Sequence, residues 1–171
     1  MNNIILIGMP GCGKTSLGKK ASEELGLEFL DLDDYVVDRN GMTIEEMFSR
    51  SEDFFRDKES SVVREMTGYK NTIISTGGGV IKRKENMDVL KSCGYIVFIH
   101  RIPEKIIENV DTETRPLLKD GKERIYNLYR ERKDLYVLYA DKILYNNDSE
   151  EEAVKKLKEI VKEYGVIKWK Y

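Results

Sequence analysis

Hydrophobic positions follow two patterns that alternate along the chain: short continuous apolar runs, and longer stretches in which apolar residues recur every three or four positions. The runs are typical of strands buried on both faces, and the wider spacing is typical of helices packed on one face. Strands are predicted at 3–7, 27–31, 72–75, 95–99 and 142–145. Helices are predicted at 14–25, 33–40, 84–91 and 122–139, with others beginning near 43, 52 and 103 and a last one through 153–164.

Five strands separated by helices predict an α/β fold, with helices on both faces of one parallel sheet. A chain of 171 residues fits one domain, and we assign 1–171 to it. Ligands of such sheets bind beyond the carboxyl ends of the strands. Segments 8–13, 31–33 and 77–79 follow the first three strands directly, so we expect them to meet at one edge.

The first of these segments carries the most specific motif. Residues 8–15 read Gly-Met-Pro-Gly-Cys-Gly-Lys-Thr, the G-x-x-x-x-G-K-[ST] phosphate-binding loop, between a predicted strand and a predicted helix. Lys14 is predicted to reach the β- and γ-phosphates of a nucleoside triphosphate, and Thr15 to offer its hydroxyl to Mg²⁺. A glycine-rich turn that matches by chance is disfavoured by the flanking elements. The predicted ATP-binding residues of the loop are Gly11, Cys12, Gly13, Lys14, Thr15 and Ser16.

Two carboxylates follow the second predicted strand. If the strand persists, alternation places Asp31 and Asp33 on the same side. One could serve Mg²⁺ through a water, and the other could take the proton of an acceptor hydroxyl. The alternative is that Asp33 or Asp34 caps the following helix.

Two further patterns are candidates for an acceptor site. Arg56 and Glu59 lie three residues apart on a predicted helix, so Glu59 either orients Arg56 toward an anionic substrate or forms an ordinary surface pair. Three consecutive glycines, 77–79, lose much conformational entropy on folding. A backbone that closely approaches a ligand is therefore favoured over a plain loop.

The remaining candidates are a long polar connection and a single histidine. The long polar connection at 111–121 contains Arg115 followed by Pro116, which predicts a lid that brings Arg115 over the phosphates. His100 is the single histidine, and we assign it a structural role because no motif accompanies it.

Composition narrows the function classes. The net charge of −2, with mixed signs over a 35% charged fraction, provides no broad basic surface for nucleic acid or membrane. No apolar stretch approaches the roughly 20 residues that span a bilayer, and no signal-peptide pattern precedes the first strand. Cys12 and Cys93 lie far apart and are interpreted as free thiols in a reducing cytoplasm. We expect a monomer, because no strongly apolar exposed stripe is evident.

Taken in order, these motifs resemble shikimate kinase over nearly the whole chain. The matching residues are Gly8-Met-Pro-Gly-Cys-Gly-Lys-Thr15, Asp31-Leu-Asp33, Phe55-Arg56 with Glu59, Thr76-Gly-Gly-Gly79, Arg115-Pro-Leu-Leu118, and Glu131-Arg132 followed by Leu135-Tyr136. The resemblance implies a three-layer α/β/α P-loop kinase fold with sheet order 2-3-1-4-5 and a mobile lid at about 111–121. It also implies transfer of the γ-phosphate of ATP to the 3-hydroxyl of shikimate, in aromatic amino acid biosynthesis.

The resemblance further implies a role for each matching residue. Asp33 would bind the shikimate hydroxyls and act as base or orienting group, within a substrate-binding segment at about 32–66. Arg56 and Arg132 would bind the carboxylate. The other implied contacts are Gly78 and Gly79 at the ring, Phe48 and Phe55 at the pocket wall, Asp31 and Thr15 at Mg²⁺, and Arg115 over the transferring phosphate.

Two positions depart from the family pattern. Glu108 stands where an arginine usually packs on adenine, and Tyr145 stands where an aspartate is typical. We expect both to change the affinity for ATP and not the reaction. The competing hypotheses are a gluconate or nucleoside monophosphate kinase of the same fold, and a nucleotide-dependent switch. A nucleotide acceptor would need a second phosphate site, and the guanine-reading Asn-Lys-x-Asp motif of switches is absent.

Overall fold

The computed structural model describes residues 3–108 and 121–164. One or more helices lie between successive strands, with short 3₁₀ turns at Met66–Gly68 and Val80–Lys82. In chain order the elements are β1 Asn3–Ile7, α1 Lys14–Leu25, β2 Glu28–Asp31, α2 Leu32–Asn40, α3 Ile44–Arg50, α4 Glu52–Glu65, β3 Thr72–Ser75, α5 Lys84–Cys93, β4 Gly94–His100, α6 Pro103–Glu108, α7 Lys122–Tyr139, β5 Lys142–Tyr145 and α8 Glu150–Glu163.

The five strands form one parallel sheet in the order β2-β3-β1-β4-β5. This confirms the α/β class and the strand order that the family resemblance implies. The central strand β1 is buried at every position, and Ile5 pairs with Ile74 of β3 on one side and Ile96 of β4 on the other. Because β1 lies at the centre, the loop that follows it emerges in the middle of the carboxyl edge.

Helix ends follow the local chemistry of the sequence. Thr43 and Glu46 form a capping box at the start of α3, and Gly26 and Gly41 end α1 and α2 in the left-handed conformation. The second strand ends at Asp31, as predicted, and α2 begins at Leu32, one residue earlier than predicted, so the strand does not persist to Asp33. Strand alternation therefore does not relate the two predicted site aspartates.

The strand ends at this point because Asp31 caps the next helix, a role that the sequence pattern assigned to other residues. Asp31 is the N-cap of α2, and its Oδ1 accepts a hydrogen bond from the backbone N–H of Asp33 at 3.0 Å. The hypothesis that Asp33 or Asp34 caps this helix is wrong. Smaller boundary differences occur elsewhere: β2 begins at Glu28, β4 extends to Gly94–His100, and α5 ends at Cys93.

Two further predictions concern the lid and the absence of a membrane-spanning segment. The lid predicted at 111–121, including Arg115, lies outside the described residues except for Gly121. Within 3–108 and 121–164, no helix combines the length and the apolar character needed to cross a bilayer.

A substitution at Gly94, the first residue of β4, tests how tightly the central strands pack. Gly94 pairs with Asn3, and a Cβ on Gly94 would lie 2.6 Å from the Asn3 carbonyl oxygen and 2.8 Å from Ile5 Cγ1. Gly94→Ala should therefore lower the free energy of unfolding by about 2 kcal/mol, because the backbone of β1 must shift. Urea denaturation measures this. Gly68→Ala is the control, because no atom lies within 4 Å of its Cβ position, and equal stability of the two variants would contradict the prediction.

Candidate active site

The loop between β1 and α1 folds back on itself around a lysine. Gly8, Gly11 and Gly13 have φ of 149°, 79° and 100°, conformations that other residues rarely adopt. The Lys14 ammonium donates to the carbonyl oxygens of Gly8 at 3.0 Å and Met9 at 2.9 Å. The predicted phosphate-binding loop thus forms at the carboxyl end of the central strand, with its cation inside the turn.

A buried amide holds this loop to the edge of the sheet. Asn146 follows β5, is 2% exposed, and donates from Nδ2 to the Cys12 carbonyl oxygen at 2.9 Å. A Cβ on Gly13 would lie 2.8 Å from the same nitrogen. The position of Asn146 just after a strand was the only sequence signal for this contact. Its contact fixes the direction of one peptide in the loop.

Oxygen ligands gather beside the loop where α1 begins. The Thr15 hydroxyl donates to Asp31 Oδ2 at 2.7 Å and lies 3.3 Å from Ser75 Oγ. Asp31 therefore serves two purposes, since its other oxygen caps α2. Residues 3–108 and 121–164 contain no group of three or more His, Cys, Asp or Glu arranged to hold a metal. Mg²⁺ needs only one or two protein oxygens, with waters and phosphates completing its shell, so this pair fits it.

Asp33 lies in the first turn of α2, close to the glycines that follow β3. A Cβ on Gly77 would lie 2.7 Å from Asp33 Oδ1. Burial, followed by the negative charges of Asp31 and Glu59, raises the pKa of Asp33 to about 6, and the cations Lys14 and Arg56 oppose this shift. A carboxyl with a pKa near neutrality can both accept and release a proton at physiological pH.

Arg56 is buried and held from two sides. Its Nη1 donates to Glu59 Oε2 at 2.7 Å, and its Nε lies 3.3 Å from Glu52 Oε1. Glu59 is fully buried, so the hypothesis of an ordinary surface pair is wrong. Burial raises the pKa of Glu59, and Arg56 opposes that shift. The arginine plane also packs on Phe55, at 5.0 Å from the ring centroid, and Phe55 stacks on Phe48 at 4.5 Å.

The three glycines at 77–79 make room for side chains from three directions. Gly77 faces Asp33, a Cβ on Gly78 would lie 2.6 Å from Pro10 Cδ of the phosphate-binding loop, and a Cβ on Gly79 would overlap the Arg56 guanidinium. The turn is therefore in close contact with three other parts of the protein, and its predicted approach to a ligand stays a prediction. It brings all three segments at the carboxyl edge into contact, as their positions after the first three strands predicted.

Helix α7 contributes two side chains to the same turn. Arg132 Nη1 donates to the Gly78 carbonyl oxygen at 3.2 Å, and the hydroxyl of Tyr136, one helical turn later, donates to the same oxygen. Arg132 Nε is buried without a hydrogen-bond partner among the described residues, and it lies 3.9 Å from Glu131 Oε1. Sequence reasoning assigned Tyr136 no role, although it belongs to the motif that contains Arg132.

The single histidine and Tyr145 are the last residues of β4 and β5, and Glu108, the other departure from the family pattern, is the last residue of α6. Glu108 pairs with Lys105 at 2.9 Å. His100 Nε2 lies 2.8 Å from the Tyr129 hydroxyl, and its ring contacts Tyr145 edge-on with centroids 5.1 Å apart. Burial, together with the charge of Lys133, lowers the pKa of His100. These contacts are compatible with the structural role predicted for the histidine.

Comparison with known proteins identifies the family. The shikimate kinase family model matches residues 10–162. The chain belongs to the shikimate kinase family. A shikimate kinase of Clostridium botulinum (strain Alaska E43 / Type E3) is 46% identical over 160 residues, which cover 94% of this chain and 97% of that protein. One from Clostridium beijerinckii is 47% identical over 160 residues, covering 94% and 95%.

Solved structures of the shikimate kinase family have the same fold. A shikimate kinase from Acinetobacter baumannii in complex with shikimate superposes with a TM-score of 0.86 at 32% identity, covering 95% of this chain and 94% of that one. The Aquifex aeolicus enzyme gives a TM-score of 0.79 at 35% identity, covering 95% and 99%. The three-layer P-loop kinase architecture predicted for the chain is thereby confirmed.

The raised pKa of Asp33 predicts how stability varies with pH. The folded protein retains this proton to about pH 6, whereas the unfolded chain releases it near its ordinary value of 3.8, so ionisation weakens the folded state. As pH rises from 4 to 7.5, the unmodified protein should lose about 2 kcal/mol relative to Asp33→Asn. Urea titrations across this range measure the difference. Asp34→Asn, at the adjacent exposed position, is the control, and a parallel pH profile for Asp33→Asn would contradict the assignment.

Proposed function

We propose that this protein transfers the γ-phosphate of ATP to the 3-hydroxyl of shikimate, giving shikimate 3-phosphate and ADP. The observation that carries the proposal is the convergence of Arg56, Arg132 and Asp33 on the glycine turn beside the phosphate-binding loop. Shikimate carries one carboxylate and three hydroxyls, and this set of groups complements it. Membership of the family supports the same conclusion.

The acceptor side of the site suits a carboxylated ring. Arg56 and Arg132 would bind the carboxylate, since guanidinium groups pair with carboxylates in a fixed, forked geometry. Arg132 has a buried Nε without a partner in the described part of the chain, which supports this role. The stacked rings of Phe48 and Phe55 would form the apolar wall. Gly78 and Gly79 would lie against the substrate ring, within reach of the segment at about 32–66.

The donor side of the site suits the phosphates of ATP. Backbone N–H groups of the loop and the amino end of α1 would hold the phosphates, with Lys14 turning from its carbonyl partners toward them. The predicted ATP-binding residues stay as assigned: Gly11, Cys12, Gly13, Lys14, Thr15, Ser16 and Arg115. Arg115 would stabilise charge on the transferring group from the lid at 111–121.

We propose Mg²⁺ as the divalent metal that accompanies ATP, held by Thr15 directly and by Asp31 through water. The 2.7 Å hydrogen bond between Thr15 Oγ1 and Asp31 Oδ2 supports this assignment, because the two candidate oxygens lie side by side. When bound, the ion would supply positive charge to the phosphate oxygens. Asp33 would orient the acceptor hydroxyl and accept its proton, a role that its raised pKa supports.

We further propose that the protein acts as a monomer in the cytoplasm, without nucleic-acid or membrane partners. Its two cysteines support a reducing compartment, because Cys12 and Cys93 are both free. The net charge of −2 supports small-molecule substrates rather than polyanions.

An ADP-release assay tests the proposed acceptor. ATP is supplied with shikimate, quinate, gluconate or CMP, and only shikimate should strongly stimulate ADP release, because it matches the arginines, Asp33 and the apolar wall together. Protein without acceptor gives the background rate. Stimulation by gluconate or CMP instead would reject the shikimate assignment and favour another kinase of this fold.

Replacing Asp33 tests its role in the chemical step. Asp33→Asn should reduce kcat by about 100-fold or more, the usual scale for losing a positioned base, because the amide cannot accept the hydroxyl proton. Steady-state kinetics with shikimate and ATP measure this. Asp34→Asn should retain normal turnover, because Asp34 is exposed. A near-normal kcat for Asp33→Asn would remove Asp33 from the chemistry.

A further inference from the structure

We propose that Tyr136 is a positioning residue for shikimate binding: its hydroxyl keeps the Gly78 carbonyl hydrogen-bonded, so that Arg132 can leave that carbonyl and bind the substrate carboxylate. The inference rests on the proposed function. In this proposal Tyr136 does not contact the substrate. It affects substrate binding through the backbone carbonyl of Gly78. The geometry of the turn, of α7 and of β4 supports it.

The ring of Tyr136 is fixed by its surroundings. It is fully buried and stacks on Phe98 of β4, with centroids 5.0 Å apart and planes 24° from parallel. Its hydroxyl meets the Gly78 carbonyl oxygen. Burial raises the pKa of Tyr136, so the hydroxyl keeps its proton and remains a donor throughout the physiological range. A donor on a rigid ring holds its acceptor at a constant position.

Arg132 shares this acceptor but is held less firmly. Its bond to the Gly78 oxygen is 3.2 Å, at the long end for an N–H donor, and its Nε has no hydrogen-bond partner among the described residues. A carbonyl oxygen has two lone pairs, so both donors fit at once. Because the Nε donor is unpaired among the described residues, a carboxylate would satisfy more of the guanidinium donors than the Gly78 carbonyl does.

Because Tyr136 and Arg132 share the Gly78 carbonyl, substrate binding avoids the free-energy cost of a lost hydrogen bond. If Arg132 were the only donor, its movement to a ligand would leave the partly buried Gly78 carbonyl without a protein donor, and losing that hydrogen bond costs free energy. With Tyr136 in place, the carbonyl remains bonded. The peptide therefore keeps its orientation, and with it the packing of Gly78 on Pro10 and of Gly79 on Arg56.

Calorimetry of shikimate binding without nucleotide tests the proposal. Tyr136→Phe removes one hydroxyl and should weaken shikimate binding about 5-fold, the scale of one neutral hydrogen bond, with the KM for ATP unchanged. Tyr129→Phe removes a hydroxyl from the same helix that bonds His100 instead, and it should leave shikimate affinity unchanged. In an Arg132→Ala background the competition no longer exists, so adding Tyr136→Phe should change affinity less than about twofold.

An equal loss from Tyr136→Phe with and without Arg132, or an unchanged affinity, would overturn the proposal. A crystal structure of the unmodified protein with shikimate is a second test that needs no variant. Tyr136 should remain bonded to Gly78 while Arg132 contacts the carboxylate, and an Arg132 still on Gly78 would overturn the idea. Failure of the unmodified protein to bind shikimate would instead reject the proposed function on which the inference rests.

Discussion

The structure of the site depends on one steric constraint: the turn after β3 must have no side chains of its own. At Gly77, Gly78 and Gly79 a Cβ would meet Asp33, Pro10 and the Arg56 guanidinium respectively. The turn thus admits one side chain from each of three other segments, and its backbone becomes the surface on which they pack. A larger residue would push apart groups that must lie close together to act on one ligand.

Electrostatics reinforce this arrangement at a cost to stability. Asp33 and Glu59 are both carboxyls removed from water, and burial raises the pKa of each. The Arg56–Glu59 ion pair is a weak source of stability, because the desolvation of both charges offsets most of their attraction. Its retention is better explained by orientation, since a guanidinium held on two carboxylates and two aromatic rings has few other conformations.

The two halves of the site are held to each other through backbone groups. On one side of the phosphate-binding loop, Gly78 packs on Pro10, and on the other, Asn146 binds the Cys12 carbonyl. Helix α7 then reaches the same turn through Arg132 and Tyr136. Loop, turn and helix therefore share fixed contacts, and a site supported in this way keeps the geometry that phosphoryl transfer requires.

The sequence by itself determined most of the elements and the phosphate-binding loop, because hydrophobic periodicity and a glycine-rich motif are local properties of the chain. The order of the strands in the sheet followed from the resemblance to shikimate kinase and not from these local patterns. The sequence did not determine what the glycines are for, that Asp31 both caps α2 and holds Thr15, or that Tyr136 and Arg132 share the Gly78 carbonyl. The hydrogen bonds from Thr15 to Asp31 and from Tyr136 to Gly78 join residues 16 and 58 positions apart, and they exist only once the strands are in register. Tertiary structure decided them, because hydrogen bonding and steric exclusion act at distances that spacing along the chain does not encode.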